Sequence, residues 1–531
     1  MGIKKNIFDK LSPFDEEICL HAHRKVVKAI QKFYNLMPTM YEQYDLTHII
    51  MSKAYGYHTG FDDSVRYFFQ ARELLTRIIS DKKRAEYIVY KSMLLWMGSS
   101  TKMYRQLKNE IPIKFNLDKN SLTQNIDLKK RYNVLYANMR QYLRPLVCYM
   151  NESELDNHLI IVPRLLENDN QLKGIDSNKV LVFENFVSKD IMAEYLNAKD
   201  QFIKIYETNI DRIKDIFTIN LYDFFRLHQV GIRNIFMHLL PQAVLFSLTF
   251  EKILNEIKVS STIGCRVRRI FDRSMHVCCQ KYNIKNFILP HADIVNDVKR
   301  LNTMGHFNYI TGVFAWNKSQ KTAIEMDKFS NVEEIYLTGS PLFSRSSFKN
   351  LIKSNNNKRV LYAASINDVR EVKLILKVLS KMKTNIQLLI KVHPSGGNKL
   401  YHKISNADNV QILNSYENLD DWIDLVDIFI TTASQSCFQS MLKGIPTIFL
   451  LVYNINDWSN HLYSIIRLNE DENLLIAHNR RELRDTLNSL YCSVEYRTEY
   501  LSVQENFLRR RLNYGFYHDS SSKNIDKIIS L

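Results

Sequence analysis

From residue 343 onward the chain alternates short apolar runs with amphipathic stretches, and this rhythm limits the fold more than any other feature. Val360–Ala364 reads as a strand, and Glu371–Met382 as a helix with Val372, Ile375, Val378, Leu379 and Met382 on one face. Ile386–Val392 is a strand ending at His393-Pro394, Val410–Leu413 a short strand and Glu417–Asp424 a short helix. Asp427–Thr432, Gln435–Lys443 and Thr447–Leu450 repeat strand, helix and strand, with Gly444 as the stop just past the helix. Strands that alternate with helices build a parallel sheet covered on both faces, so each strand reads as a continuous apolar run.

The preceding stretch has the same texture in weaker form. Leu159–Val162 (LIIV) and Val180–Phe183 (VLVF) read as strands, Lys258–Ile263 (KVSSTI) as a less apolar one, and Phe287–Leu289 (FIL) as another, with a helical stretch over Arg269–Tyr282. The expected fold class is therefore α/β, with two Rossmann-like halves at 126–342 and 343–531 behind a helical N-terminal region at 1–125. In that region Phe14, Ile18, Val26, Ile30 and Phe33 recur at helical spacing, as do Val65, Phe68, Phe69, Leu74, Leu75, Ile78 and Ile79, and Tyr87–Trp96 forms a third apolar stretch. No catalytic pattern lies there, which makes it a cap or docking region. With 531 residues, about three domains are expected.

Lys plus Arg number 72 against 56 Asp plus Glu, a net charge of +16 that calls for an anionic partner: a nucleotide, an acidic polymer, an anionic membrane surface or nucleic acid. Nucleic acid is set aside, because neither an RNP-like aromatic pattern nor a base-reading helix-turn-helix is found. The seven cysteines are odd in number and form no C-x-x-C pair, which fits a reducing cytoplasm better than a disulfide framework. The N-terminus MGIKKNIFDK has no apolar core of a signal peptide, and Asn6 departs from the myristoylation pattern. The uncharged run Asn234–Phe250 carries His238, Pro241 and Gln242 and falls short of the roughly 20 residues of a membrane span, so a buried helix is expected.

Two strand ends carry chemistry. Ile390-Lys391-Val392-His393-Pro394 ends an apolar strand with a His that the following Pro holds extended, where its imidazole suits a phosphate oxygen. Ser395-Gly396-Gly397 follows, and its backbone amides can approach a ligand. Thr431-Thr432-Ala433-Ser434-Gln435-Ser436 follows a second strand and opens a helix, bringing hydroxyls and amides to the same edge, although Ser and Thr also serve as ordinary helix caps.

Together, KVHP and DIFITTASQSCFQSMLKGIPTIFL resemble the nucleotide-binding half of GT-B glycosyltransferases with an HP motif and a later Ser-containing motif. That group includes bacterial sialyltransferases, capsule Kdo transferases and CDP-glycerol glycerophosphotransferases. Tyr309–Trp316 followed by Ile335–Pro341 (IYLTGSP) is similar to the segment joining the two halves, and Phe287–Asp293 (FILPHAD) resembles a strand ending in a Gln-His-Gly-type loop, with Pro290 and Ala292 in place of Gln and Gly. Tyr517–Ser522 before a final helix looks like the group's C-terminal return.

The resemblance covers about residues 150–531 and implies an enzyme of the cell envelope that moves a sugar or polyol phosphate from a CMP- or CDP-linked donor. Its acceptor would be a lipid-linked or polysaccharide molecule such as a capsule or teichoic-acid-like polymer, met at the inner face of the membrane. No cofactor is implied. It assigns donor binding to Lys391, His393, Pro394, Ser395, Gly396, Thr432, Ser434, Gln435 and Ser436, makes His393 catalytic at the leaving phosphate, and leaves His291 or Asp293 as the base. Arg266 and Arg268 would bind an acidic acceptor, and no metal is expected, since no Asp-x-Asp ends a strand. The acidic-acidic-Gly motif of sialyltransferases is missing (Asp62-Asp63 precedes Ser64), and Gln439 stands where a ribose-binding Glu is often found. A UDP-sugar 2-epimerase-like enzyme and a non-catalytic polysaccharide-assembly protein share the expected fold.

Overall fold

The computed structural model describes residues 29, 32–33, 36, 40–41, 44–46, 48–49, 126–127, 129–219, 222–223, 225–267, 269–291, 308–325, 332–343, 358–364, 369–382, 385–393, 401, 409–414, 417–432, 434, 436–452, 473–512 and 520–530. The chain divides into two compact units, Met1–His291 with Val298–Val313 and Asp327–Ile335, and Ala292–Asp297 with Phe314–Met326 and Tyr336–Leu531. The helical stretches expected at 65–79 and 87–96 lie outside the described residues.

The first sheet has seven strands: β1 Tyr132–Tyr136, β2 His158–Val162, β3 Val180–Val182, β4 Val259–Gly264, β5 Lys285–Ile288, β6 Gly312–Ala315 and β7 Glu334–Leu337. Their spatial order is β3-β2-β1-β4-β5-β6-β7. The pairs β1–β2, β1–β4, β2–β3, β4–β5 and β5–β6 are parallel. The helices of this unit that bear on the site are α1 Arg140–Glu152, α2 Lys189–Thr208, α3 Leu240–Glu256 and α4 Ile270–Lys281.

KVSSTI, the least apolar of the expected strands, lies at the centre of this sheet. Its hydroxyls are satisfied sideways. Ser260 and Ser261 donate to Asn133 Oδ1 on β1 at 3.0 and 2.8 Å, and Thr262 donates to Asn286 Oδ1 on β5 at 2.9 Å. Buried hydroxyls are tolerable when each finds such a partner. The strand β1 was not among the sequence expectations, because Asn133 and two tyrosines interrupt the apolar run that marks the others.

The run expected as a buried helix is one. Ile235–Leu239 forms a π-helical turn that leads into α3, and Phe236, Leu240, Val244, Phe246 and Phe250 are buried. Phe183, Phe246, Phe250 and Phe271 form a ring cluster with centroids 4.8–5.6 Å apart. Among the described residues no helix is long and apolar enough to cross a membrane.

Part of the N-terminal region belongs to the same core. Ala29, Phe33, Tyr44, Leu46 and Ile49 are buried within the first unit's main cluster. Met40–Tyr41 and Tyr44–Asp45 pair antiparallel, a short hairpin where helix was expected. The hairpin is tied down by Tyr309, whose hydroxyl donates to Asp45 Oδ2 at 2.7 Å.

The second sheet contains β8 Lys358–Ala363, β9 Ile386–Lys391, β10 Val410–Leu413, β11 Ile428–Thr431, β12 Thr447–Leu450 and β13 Ile476–Ala477, in the order β10-β9-β8-β11-β12-β13, all parallel. Along β8, Val360 and Tyr362 enter one core with α6 Val369–Leu379 and α9 Arg480–Cys492, whereas Leu361 and Ala363 enter another with α7 Leu419–Ile423. The period-two alternation thus feeds two buried faces, as an all-parallel sheet requires. Beyond it, α8 Ser436–Leu442 packs on α10 Val494–Leu512, with Phe438 and Phe507 stacked at 6.1 Å. The chain closes on α11 Ser521–Ile529, capped by Ser520. In that unit α5 Lys318–Glu325 follows β6, and Trp316 meets Phe343 edge-on.

Each unit therefore shows the doubly wound order in which the first strand lies between the second and the fourth. The chain leaves in opposite directions at that point, which opens a crevice at the carboxyl ends. In the first unit, a Cβ on Gly264 would lie 2.4 Å from Cζ and Oη of Tyr136, so this glycine is dictated by close approach. Gly264→Ala is expected to lower stability by about 1–3 kcal/mol through overpacking, read as the midpoint shift in a denaturant titration. A midpoint equal to wild type would show that the Tyr136 ring yields freely.

Candidate functional site

In the second unit, Lys391 of β9, Ala363 of β8 and Thr431 of β11 lie level in the sheet register. The two expected strand ends therefore flank the point where the chain direction reverses. Thr431 Oγ1 and Ser436 Oγ are 3.4 Å apart, and Ser436 donates to Ser434 Oγ at 3.0 Å. Ser434 is also the local cap: its Oγ accepts the Ser436 amide at 3.4 Å and its carbonyl the Cys437 amide at 3.1 Å. The Ser436 and Cys437 amides are thus already bonded, and the Thr431, Ser434 and Ser436 hydroxyls lie at the same edge. Thr432 Oγ1 is buried with no hydrogen-bond partner. A buried hydroxyl without a partner is costly, which marks this position for a ligand atom.

His393 follows β9 and is half-buried. Burial, and then the Lys391 ammonium, lower its pKa, so the imidazole is held toward the neutral form. Lys391 donates to the carbonyls of Asn414 and Val392 at 2.9 and 3.3 Å. It thus ties β9 to the end of β10 and places a positive charge behind His393. Gln439 Nε2 donates to the Asp420 carboxylate at 3.3 Å, so a carboxylate from α7 stands next to the position where an acid was missing from the sequence. Pro394, Ser395, Gly396 and Gln435 lie outside the described residues, as do Arg268 and Asp293.

In the first unit, the carboxyl ends of β1, β4 and β5 bring together Tyr142, Arg266, Arg269 and His291. Arg266 Nη1 donates to the Tyr142 hydroxyl, and its guanidinium lies 5.4 Å from the ring centroid. The Arg269 guanidinium lies 6.0 Å from the same centroid, and the His291 ring meets Tyr142 edge-on at 4.7 Å. Cation–ring contacts of this kind hold arginine heads in place. Burial and the charge of Arg266 push the His291 pKa down to about 4. A group that weakly basic is poorly matched to deprotonating a hydroxyl near neutrality, so His291 fits a neutral hydrogen-bonding role better than that of a base.

Beneath these groups lies a buried polar layer. Asp272, at the third position of α4, takes a hydrogen bond from the Arg269 backbone, the reach-back of a capping residue. Burial raises its pKa to about 7 against the opposing charges of Arg269, Arg266 and Arg273. One turn on, His276 is fully buried, neither ring nitrogen has a partner, and burial drops its pKa to about 3. Neither Tyr142 nor His276 was singled out in the sequence. Tyr142 gave no local signal, because the strand that precedes its helix, β1, was itself missed.

No protein-family model and no curated protein sequence matches the chain. Among solved structures it is similar to a UDP-GlcNAc 2-epimerase from Neisseria meningitidis bound to UDP-GlcNAc, at 11% identity and a TM-score of 0.47 over 76% of this chain and 98% of that one. It is also similar to the glycotransferase of kitacinnamycin, at 10% identity and 0.45 over 75% and 98%. The wall teichoic acid polymerase TagF with CDPG aligns at 14% identity and 0.39 over 55% and 74%.

His276 is expected to make the fold acid-sensitive. Its folded pKa lies below its unfolded value of about 6.5, so the unfolded chain binds the extra proton and stability falls as pH drops from about 6.5 toward 3. His276→Leu is expected to flatten the stability–pH curve by about one proton, roughly 1.4 kcal/mol per pH unit, across that window. Denaturant midpoints for the two proteins that run parallel between pH 6 and 4 would refute a neutral buried imidazole.

Proposed function

We propose that the protein is a GT-B transferase that moves a sugar or polyol phosphate from a cytidine-nucleotide donor, CMP- or CDP-linked, to a surface polysaccharide or teichoic-acid-like acceptor. The observation that carries this reading is the pair of strand ends flanking β8, with His393 following β9 on one side of the reversal point, the Thr431, Ser434 and Ser436 hydroxyls at the end of β11 on the other, and the Thr432 hydroxyl buried without a partner. In this reading the nucleotide phosphate lies across that edge. Bonds from the hydroxyls and His393 strengthen as charge develops on the leaving phosphate, and the Lys391 charge behind His393 favours the same anion.

The donor edge also includes Pro394, Ser395, Gly396 and Gln435. The acceptor meets Arg266 and Arg268 in the first unit. Asp293 is kept as a candidate base beside His291. Work at an anionic membrane surface is in keeping with the +16 charge and a lipid-linked acceptor.

Calorimetry with CMP, CDP, UDP and GDP is expected to rank a cytidine nucleotide first. Conversion of a UDP-sugar with no acceptor present would replace this reading with an epimerase. His393→Ala is expected to keep the fold and lose about 10²-fold or more in donor turnover, the scale of removing one transition-state donor. Wild-type turnover in the purified variant would remove His393 from the chemistry.

Transfer is also expected to survive EDTA, because side chains are assigned to the phosphate. Loss on chelation with recovery on adding Mg²⁺ or Mn²⁺ would contradict that assignment.

A further inference from the structure

Donor binding leaves one arrangement in the first unit unexplained: an acid buried among arginines. Asp272 is 2% exposed, and its Oδ2 has no hydrogen-bond partner. The groups around it come from each neighbouring element. Tyr136 approaches from β1, Cys265 and Arg266 from the end of β4, and Arg269 and Arg273 from α4 and its start, while His276 and Cys279 of α4 lie against Tyr136. His291, after β5, lies within the field of the same two arginines, Arg266 and Arg269. A carboxyl buried alone would be neutral, whereas arginine charge draws it toward ionisation. Burial and arginine charge thus act on the carboxyl group in opposite directions, and anything that draws away the arginine field favours its neutral form.

Arg266 and Arg269 are also the two guanidinium groups fixed against the Tyr142 ring at the carboxyl edge, where a ligand would enter. A negative group seated on them competes with Asp272 for their charge. We propose that the Arg266–Tyr142–Arg269–His291 edge binds an acidic group, phosphate or carboxylate, and that Asp272 takes up a proton from solvent as that group seats. The inference rests on the transferase reading only in identifying the acidic group as part of the acceptor. It gives that site a regulation: the edge holds its ligand more tightly on the acid side of neutrality and releases it on the alkaline side.

Sulfate is a suitable probe, because it keeps its double charge across the neutral range and any proton counted must enter the protein. Sulfate is titrated calorimetrically into the full chain in buffers of different ionisation enthalpy. Wild type is expected to take up roughly half a proton per sulfate at pH 7 and to lose about tenfold in affinity between pH 6 and 8.5. Asp272→Asn is expected to bind sulfate with no uptake and a flat pH profile, and Arg266→Ala to lose about tenfold or more in affinity. If Asp272→Asn does not fold, the uptake by wild type and its loss in Arg266→Ala decide the matter.

Absence of uptake in wild type, uptake retained in Asp272→Asn, or affinity untouched by Arg266→Ala overturns the proposal. Uptake lost in His393→Ala does so too, by placing the sulfate in the second unit. Methylphosphonate and acetate, titrated in the same way, separate the two ligand classes: the tighter one names the acidic group, and equally weak binding of both overturns the site. No nucleotide is present in these titrations, so they stand or fall apart from the cytidine panel.

Discussion

The side chains at the carboxyl edge of the first sheet depend on the contact between Tyr136 and Gly264. The two residues end β1 and β4, the adjacent strands where the chain reverses direction, and the tyrosine ring occupies the space that any side chain at 264 would need. The ring sets the level at which the next segments begin. Cys265 and Arg266 leave directly above it, and Cys265 Sγ reaches the Tyr142 carbonyl at 3.3 Å. The Tyr136 hydroxyl in turn reaches Asn286 Oδ1 at 3.4 Å, which is also the acceptor for Thr262. A single aromatic ring thus links β1, β4 and β5, the three strands from which Tyr142, Arg266 and His291 follow.

The second unit reaches the same kind of edge by different means. Its central strands are apolar on both faces, and the polar connections are made only at the ends. Lys391 binds the carbonyl that follows β10, and Asp427 accepts the Arg359 amide at 2.8 Å where β8 begins. On the far side Gln504, fully buried in α10, exchanges hydrogen bonds with Thr447 and Ile445, and the Tyr500 hydroxyl donates to the Thr447 carbonyl at 2.6 Å. These bonds satisfy backbone groups that a buried strand end would otherwise leave unpaired.

Legibility in the sequence followed this difference. β8, β9, β11 and β12 were readable because a strand buried on both faces must be written in apolar residues, and Ile386–Lys391 and Ile428–Thr431 are; β10, at the sheet edge with Gln411 exposed, was readable only from its short VQIL run. His393, Ser434 and Ser436 were readable because each immediately follows such a run. β4 was only weakly marked and β1 was missed, because their stability lies in side-chain bonds between positions 128 apart, such as Ser261 to Asn133, which no local window contains. The same holds for Tyr142 and Asp272. Their significance depends on β1 lying beside β4, and sequence spacing does not disclose that neighbour. Asp272 bonds the Arg269 backbone as a helix cap does, but the arginines around it come from the strand end as well as from its own helix.

The two edges differ in how they meet negative charge. In the second unit the cation nearest the edge, Lys391, is committed to carbonyl oxygens, and the groups facing outward are hydroxyls and a neutral imidazole. In the proposed transferase such a site would pull weakly on an anion at rest and gain most when charge builds up on a leaving oxygen. In the first unit two guanidinium groups are fixed on one ring, and the buried Asp272 carboxyl group lies within their field; in the proposed site it is the acid that gives up its charge. Replacing that acid with a permanent neutral group would strengthen resting attraction and remove its dependence on pH. Replacing it with a permanently charged one would weaken attraction at every pH. A carboxyl group poised between burial and arginine charge avoids both extremes, which gives a physical reason for an acid at 272 where an apolar residue would fill the same space.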